Sequence, residues 1–226
     1  MLSSTEGNIV LNGTGNSLTT LELAGGDITL GGRNDGASRV TTVENLASGT
    51  GGGTLDLGRG AQLVLTGQQA GSHVTDVTIS GDGTLTLGGM GTDSSLTLGN
   101  GSSLDGVLLD IREGSALSTA AGSVNTVSGL TGGGALKLSG AEMTVDSSAS
   151  HTFTGTLDGA SGTLNVKSGN GSVQTIKGAG NAGYNLNVSD GGALTLAGAA
   201  AEGGNPAQAA YKGITVNGGT LNIGLS

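Results

Sequence analysis

The stretch GDGTLTLGG, residues 81–89, places two leucines two positions apart among small polar residues, and glycines close both ends. In an extended strand, Leu85 and Leu87 share one face. Thr84 and Thr86 share the opposite face. Near-copies recur along the chain as GGTLDLG, GGALKLSG, SGTLNVKSG, GGALTLAG and GGTLNIG, which begin at residues 52, 133, 161, 191 and 218. The recurrence of one short strand motif along the chain predicts a repeat architecture.

The composition also favours narrow, stacked strands. Glycine accounts for 48 of the 226 residues, and proline occurs once, which excludes a collagen helix. The chain has one phenylalanine, two tyrosines and no tryptophan, so its core must be built from aliphatic side chains. Leu57 and Leu87 stand in similar units about 30 residues apart, a period typical of solenoids.

We therefore predict an all-β chain folded as a parallel β-helix, with about three short strands in each coil. Alternate aliphatic side chains fill a narrow interior that has little room for tryptophan or tyrosine. Paired glycines form the corners, with candidates at 25–26, 31–32 and 88–89. The structural rival is an antiparallel sandwich. Its hairpin turns would suit the Asn-Gly and Asp-Gly pairs that begin at Asn12, Asp35, Asp82, Asn100 and Asn170.

The repeat pattern spans residues 1–226 and predicts a single solenoid domain. Two segments fit it poorly, about 100–122 and 199–213. The first contains GVLLDIREGSALSTAAG, and the second is alanine-rich and holds the only proline, Pro206. We expect both segments to interrupt the stack, and specific chemistry is expected where the pattern breaks.

Charge and composition exclude several kinds of partner. The net charge is −9 and the eight basic residues are scattered, which argues against nucleic-acid binding. No apolar run is long enough for a transmembrane helix, so we expect no direct membrane insertion by this segment. Cysteine is absent, which excludes disulfides and thiolate metal sites. We expect no cofactor.

No catalytic or metal-binding constellation is recognisable. His73 and His151 lack a second histidine at metal-ligand spacing. Isolated aspartates are interpreted as turn residues: Asp82, Asp93, Asp158 and Asp190. Two polar clusters are interpreted as solvated surface: Asp105, Asp110, Arg112 and Glu113 in one, and Arg33, Asn34, Asp35 and Arg39 in the other. For the second cluster, which lies in an expected loop, ligand contact is the alternative.

Outward polar residues are expected to stack into ladders on the solenoid surface. The candidate pairs are Thr84 and Thr86, Ser95 and Thr97, Thr163 and Asn165, and Thr220 and Asn222. Such ladders suit a solvated sheet surface or a face for self-association. Ice binding would need Thr-x-Thr on every coil, and among these strand pairs only Thr84-Leu85-Thr86 provides it.

Several stretches resemble the autotransporter-associated β-strand repeat. HTFTGTLDGASGTLNV at 151–166 and YKGITVNGGTLNIG at 211–224 carry the resemblance, which is clearest from about residue 124. It implies a right-handed parallel β-helix from the passenger domain of a bacterial type V secreted protein, exported across the outer membrane to the cell surface or beyond. A C-terminal barrel pattern and a signal peptide are not recognisable, so the 226 residues are interpreted as a fragment of a longer passenger.

The expected function is adhesion, self-association or a structural stalk, without a catalytic site of its own. Partners would be a second copy, met through a sheet face or the end coils, or a host glycan or matrix protein. The alternative is a β-helix enzyme that acts on polysaccharide or mucin-type glycans. That alternative requires Asp110, Arg112 and Glu113 to point into one groove.

Overall fold

The computed structural model describes residues 1–31, 39–69, 71–158, 161–167, 171–177, 183–198 and 212–225. Their regular secondary structure is entirely β-strand, and every pair of hydrogen-bonded strands is parallel. The strands form three sheets of 11, 10 and 5 strands. The predicted parallel β-helix is thereby confirmed, and the antiparallel sandwich is excluded.

The strands are short and follow one another closely along the chain. The N-terminal part contains β1 (Leu2–Ser4), β2 (Asn8–Leu11), β3 (Gly15–Leu23), β4 (Asp27–Leu30), β5 (Arg39–Ser48), β6 (Gly53–Leu57), β7 (Ala61–Leu65), β8 (His73–Val74) and β9 (Val77–Ser80). The middle contains β10 (Thr84–Leu87), β11 (Ser95–Leu98), β12 (Ser103–Asp105), β13 (Leu108–Ile111), β14 (Ala116–Thr119), β15 (Val124–Val127), β16 (Gly129–Gly132), β17 (Ala135–Leu138) and β18 (Glu142–Asp146). The C-terminal part contains β19 (His151–Phe153), β20 (Thr156–Asp158), β21 (Thr163–Lys167), β22 (Val173–Ile176), β23 (Asn185–Ser189), β24 (Ala193–Gly198), β25 (Gly213–Asn217) and β26 (Thr220–Leu225).

Each coil of the middle region visits three sheets in turn. Sheet A has the order β1-β3-β5-β7-β10-β13-β16-β19-β22-β24-β26, and sheet B has the order β2-β4-β6-β9-β12-β15-β18-β21-β23-β25. Sheet C has the order β20-β17-β14-β11-β8. From β7 to β21 the chain passes through sheets A, C and B repeatedly, which confirms three short strands per coil there.

The first coils use longer strands instead of a third short one. The first half of β5 pairs with β7, from Arg39 opposite Ala61 to Val43 opposite Leu65. Its second half lies beside the end of β8, where Thr75 N donates to Ser48 Oγ over 2.9 Å. One strand therefore runs along two faces of the solenoid.

Aliphatic side chains stack in columns through the interior. Leu63, Leu85, Leu109 and Leu130 are consecutive partners in sheet A, and each is fully buried. Leu85 and Leu87 both point inward as the sequence predicts, with no solvent exposure. Burial of one such leucine contributes about 1.5–3 kcal/mol.

Both described aromatic side chains also lie inside, and for Tyr184 this is contrary to the expectation that the interior has little room for tryptophan or tyrosine. Phe153 and Tyr184 are fully buried. Phe153 has room because its partner in the adjacent coil is Gly132, which lacks a side chain. Tyr184 has room for the same reason. Asn185 is the partner of Thr163, so the neighbour of Tyr184 in the adjacent coil is Gly162, which also lacks a side chain.

The glycine directly before the Thr-Leu or Ala-Leu of the recurring motif stands where two coils approach most closely. A Cβ atom at Gly155 would lie 1.8 Å from Gly134 O, and one at Gly162 would lie 2.2 Å from Leu138 O. At Gly192 it would lie 2.4 Å from Val166 O. The motif therefore recurs because the neighbouring backbone leaves no space for a side chain. Of the predicted corner pairs, Gly25 and Gly88 adopt φ values of 106° and 96°, which other residues rarely adopt.

Residues 100–122, predicted to interrupt the stack, continue it as β12, β13 and β14. The sequence does not show this clearly because buried serines occupy the position after the corner glycine, where other coils have a second glycine. Val77 N donates to Ser102 Oγ over 3.1 Å, and Ser94 N donates to Ser115 Oγ over 3.0 Å. Each hydroxyl thus satisfies the backbone of the neighbouring coil. Of the second predicted interruption, 199–213, residues 199–211 lie outside the described part, and Gly213 already begins β25.

Candidate functional site

The predicted charge cluster is distributed over two sheets. Asp105 lies on sheet B and Asp110 on sheet A. Arg112 Nε lies 3.6 Å from Asp110 Oδ2, and both side chains are partly exposed, so this ion pair contributes little to stability. Glu113 is exposed in the turn after β13. The structure therefore brings together Asp110 and Arg112 but not Asp105.

A groove beside sheet C tests whether the charged residues of this cluster point into a common groove. It is lined mainly by small side chains, including Ser95, Ala116, Ala135 and Thr156, with Lys137 as its charged residue. Asp110, Arg112 and Glu113 are not among its lining residues. In the second cluster, Arg33, Asn34 and Asp35 lie outside the described residues. Arg39 Nη1 donates to the backbone oxygen of Asn12.

The two histidines occupy different surroundings. His73 is exposed on sheet C, and His151 begins β19. The His151 ring lies over Gly129, where a Cβ atom would approach its Cδ2 to 2.2 Å. Burial lowers the pKa of His151 from 6.5 because the charged form loses water. Within the described ranges, no group of three His, Cys, Asp or Glu side chains is placed to hold a metal ion.

We expect low pH to destabilise the coil that carries His151. Its lowered pKa in the folded protein means that the unfolded chain binds the proton more tightly. The stability contributed by neutral His151 is therefore complete above pH 6.5 and decreases as the pH falls toward the folded-state pKa. NMR titration of the ring, with hydrogen exchange in β19 and β22 as a function of pH, measures this effect. The variant His151→Gln should remove this pH dependence, and an unchanged pH dependence would contradict the assignment.

The isolated aspartates are only partly turn residues. Asp82 lies in the bend between β9 and β10, and Asp190 adopts φ 50° in a turn. Asp158 instead ends strand β20, where its partner is Lys137 on the next strand of sheet C.

The predicted polar pairs do not share one face. Thr84 and Thr86 lie on sheet A with Thr220 and Asn222, whereas Ser95 and Thr97 lie on sheet C. Thr163 and Asn165 lie on sheet B. Thr86 faces outward but is fully covered, and Gln62 Nε2 donates to its hydroxyl over 3.0 Å.

Sheet B carries a polar ladder whose members bond to one another. Thr144, Asn165, Asn187 and Thr215 are consecutive outward partners. Asn187 Nδ2 donates to Asn165 Oδ1 over 2.9 Å, and Asn165 Nδ2 donates to Glu142 Oε1 over 2.6 Å. The amides of this ladder are therefore already used within the molecule.

Sheet A carries a second ladder, which we call the threonine row: Thr131, Thr152, Thr175, Thr195 and Asn222. Thr152, Thr175 and Thr195 are direct partners in adjacent strands, and Asn222 follows Thr195. Among the described residues, the side chains of Thr152, Thr175, Thr195 and Asn222 have no hydrogen-bond partner, whereas Thr131 Oγ1 donates to Asp110 Oδ1 over 3.2 Å. The row is not visible in the sequence because its members stand in different local motifs. Its members line up only when the sheet A strands of successive coils, β16, β19, β22, β24 and β26, are aligned.

The final described strands expose interior positions. Ile214 and Val216 on β25 are 45% and 47% exposed, and Ile223 on β26 is 73% exposed. Their columns contain fully buried residues in the preceding coils, such as Leu186 and Val188. The exposure arises because, in the part of the chain that the structure describes, no strand lies on the outer side of β25 or β26.

Comparisons of the chain with protein-family models, with curated proteins and with solved structures give no match. The described residues include no helix that is long and apolar enough to cross a membrane. The fold itself defines the class as a parallel β-solenoid protein with an aliphatic core and polar ladders on its surface.

Proposed function

We propose that this chain is a segment of a surface-exposed or secreted bacterial passenger domain that acts as a stalk and interaction module. The observation that carries the proposal is the continuous parallel stack from β1 to β26, with aliphatic columns inside and polar rows outside. The resemblance to autotransporter-associated repeats supports export across the outer membrane. It also supports a host glycan, a matrix protein or a second copy as the partner.

A solenoid of this kind suits both roles for a physical reason. Eleven parallel strands with spacings of about 4.8 Å give sheet A a length of about 48 Å. Every strand is held by backbone hydrogen bonds to the coils before and after it, so the rod resists bending. Its outward rows repeat once per coil, so weak contacts add up along the rod.

The test is to couple the full chain to beads and measure three responses. These are bead clumping, capture of mucin-type glycans and capture of extracellular-matrix proteins. Clumping or capture above that of beads carrying an unrelated acidic protein supports the interaction role. If none of the three responses occurs, only the stalk role remains. Release of new reducing ends from a polysaccharide by the purified chain would overturn the proposal in favour of an enzyme.

A further inference from the structure

We infer that the threonine row of sheet A is the surface through which this chain binds a second copy of itself. The inference rests on the proposed interaction role and names both the face and the partner. Its evidence is the chemistry of the outward side chains on β16, β19, β22, β24 and β26.

The face differs in charge from much of sheet B. These five described strands contain no Asp, Glu, Lys or Arg. Sheet B, in contrast, carries acidic side chains on several strands along its stack: Asp27, Asp56, Asp105, Glu142 and Asp146. Two copies that each have a net charge of −9 repel one another, and they can approach most easily through an uncharged face.

The hydrogen-bonding groups on this face are available to meet a partner. Thr175 and Thr195 are half-buried, and Thr152 and Asn222 are exposed. Within the described part of the chain, none of these four side chains makes a hydrogen bond. A hydroxyl both donates and accepts, and so does a carboxamide. A row of such groups is therefore complementary to a copy of itself.

The neighbouring outward positions keep the face flat. Ala193 and Ala197 flank Thr195 on β24, and Val173 precedes Thr175 on β22. Since the row repeats at the coil spacing, a shift of one coil restores the same pairing. The second copy can thus dock in several equivalent registers.

The area of the face predicts that one contact is weak. Five strands span about 20 Å across the stack and about 15 Å along the strands, or about 300 Å² per copy. Stable interfaces bury about 800 Å² on each partner. Association should therefore depend on dense display, which raises the effective concentration of copies, so bead clumping is a more suitable test than sedimentation of dilute protein.

The test compares two double variants of the full chain with the same added charge. Thr175→Glu with Thr195→Glu places carboxylates in the threonine row, and Thr97→Glu with Thr215→Glu places them on sheets C and B. We expect the first pair to reduce clumping about tenfold through like-charge repulsion, and the second pair to leave it near that of the unaltered chain. Circular dichroism establishes that each variant is folded, and Thr152→Glu with Asn222→Glu repeats the test at exposed positions.

Salt provides an independent measurement. Raising NaCl from about 20 mM to about 500 mM screens the repulsion between acidic copies and should strengthen clumping through an uncharged face. Equal loss of clumping in both variant pairs, or weaker clumping in high salt, would overturn the inference while leaving the interaction role intact. If the unaltered chain captures glycans or matrix proteins but does not clump, the inference likewise fails and the proposed function stands.

Discussion

Replacing Gly155 with alanine is expected to lower the free energy of unfolding by about 3 kcal/mol, because the new Cβ atom has no space. It would lie 1.8 Å from Gly134 O and 2.7 Å from Phe153 Cζ. To relieve this clash the two coils must separate, which weakens the hydrogen bonds of β17 with β20. Denaturant unfolding followed by circular dichroism measures the loss. Hydrogen exchange in β17 and β20 shows whether it is local.

The chain contains a matched control for this substitution. Gly15 begins β3 and does not need positive φ, and a Cβ atom added to it would meet no other atom within 4 Å. Gly15→Ala should therefore be neutral or slightly stabilising, by up to about 1 kcal/mol, because alanine restricts the unfolded chain. Equal destabilisation by both substitutions would show that close coil contact is not the cause.

Replacing Gln174 with leucine is expected to lower the free energy of unfolding by about 2–4 kcal/mol, since it leaves buried backbone groups unpaired. The Gln174 side chain is 1% exposed and reaches across a coil to β16. Its Oε1 accepts from Leu130 N over 3.1 Å, and its Nε2 donates to Leu130 O over 3.0 Å. The side-chain amide thus takes the place of a strand residue between the two coils.

The effect of Gln174→Leu should be measured both as the global free energy of unfolding and as local hydrogen exchange, because repeat proteins can open one coil at a time. Exchange of the Leu130 amide hydrogen should accelerate more than exchange in β10 or β13. Gln69→Leu is the control, since Gln69 is exposed and its Nε2 makes a single described hydrogen bond, to Gly67 O. A Leu130 amide as protected in Gln174→Leu as in the unaltered chain would refute the bridging role.

Much of the fold could be predicted from the sequence because the physical rule behind it is local. The alternation of Leu85 and Leu87 with polar residues indicates a strand with one buried face, and the recurrence of that strand along the chain indicates a stack of coils. The corner glycines could also be anticipated. The need for glycine directly before the Thr-Leu or Ala-Leu pair could not be anticipated, because the atom that a Cβ would clash with, such as Leu138 O beside Gly162, belongs to another coil.

The errors about the interior have one physical origin: the interior tolerates more kinds of residue than a glycine and leucine rule allows. Ser102 and Ser115 take the place of the glycine that follows the corner in other coils, and their hydroxyls bond to adjacent backbone, so residues 100–122 continue the stack. Phe153 fits because Gly132 lies beside it. The threonine row was missed because its members are separated by about 20 residues and become neighbours only when the coils are stacked.

The pairing of every coil with the coils on either side has a consequence for how such a molecule can change its length. Leu85 faces Leu109 and Leu109 faces Leu130, so the surfaces above and below the coil that contains β13 are nearly equivalent. Removing that whole coil would bring Leu85 against Leu130 and keep the aliphatic column continuous. Reach is therefore a property that gene duplication or deletion can adjust in whole coils, while the cross-section of the rod stays the same.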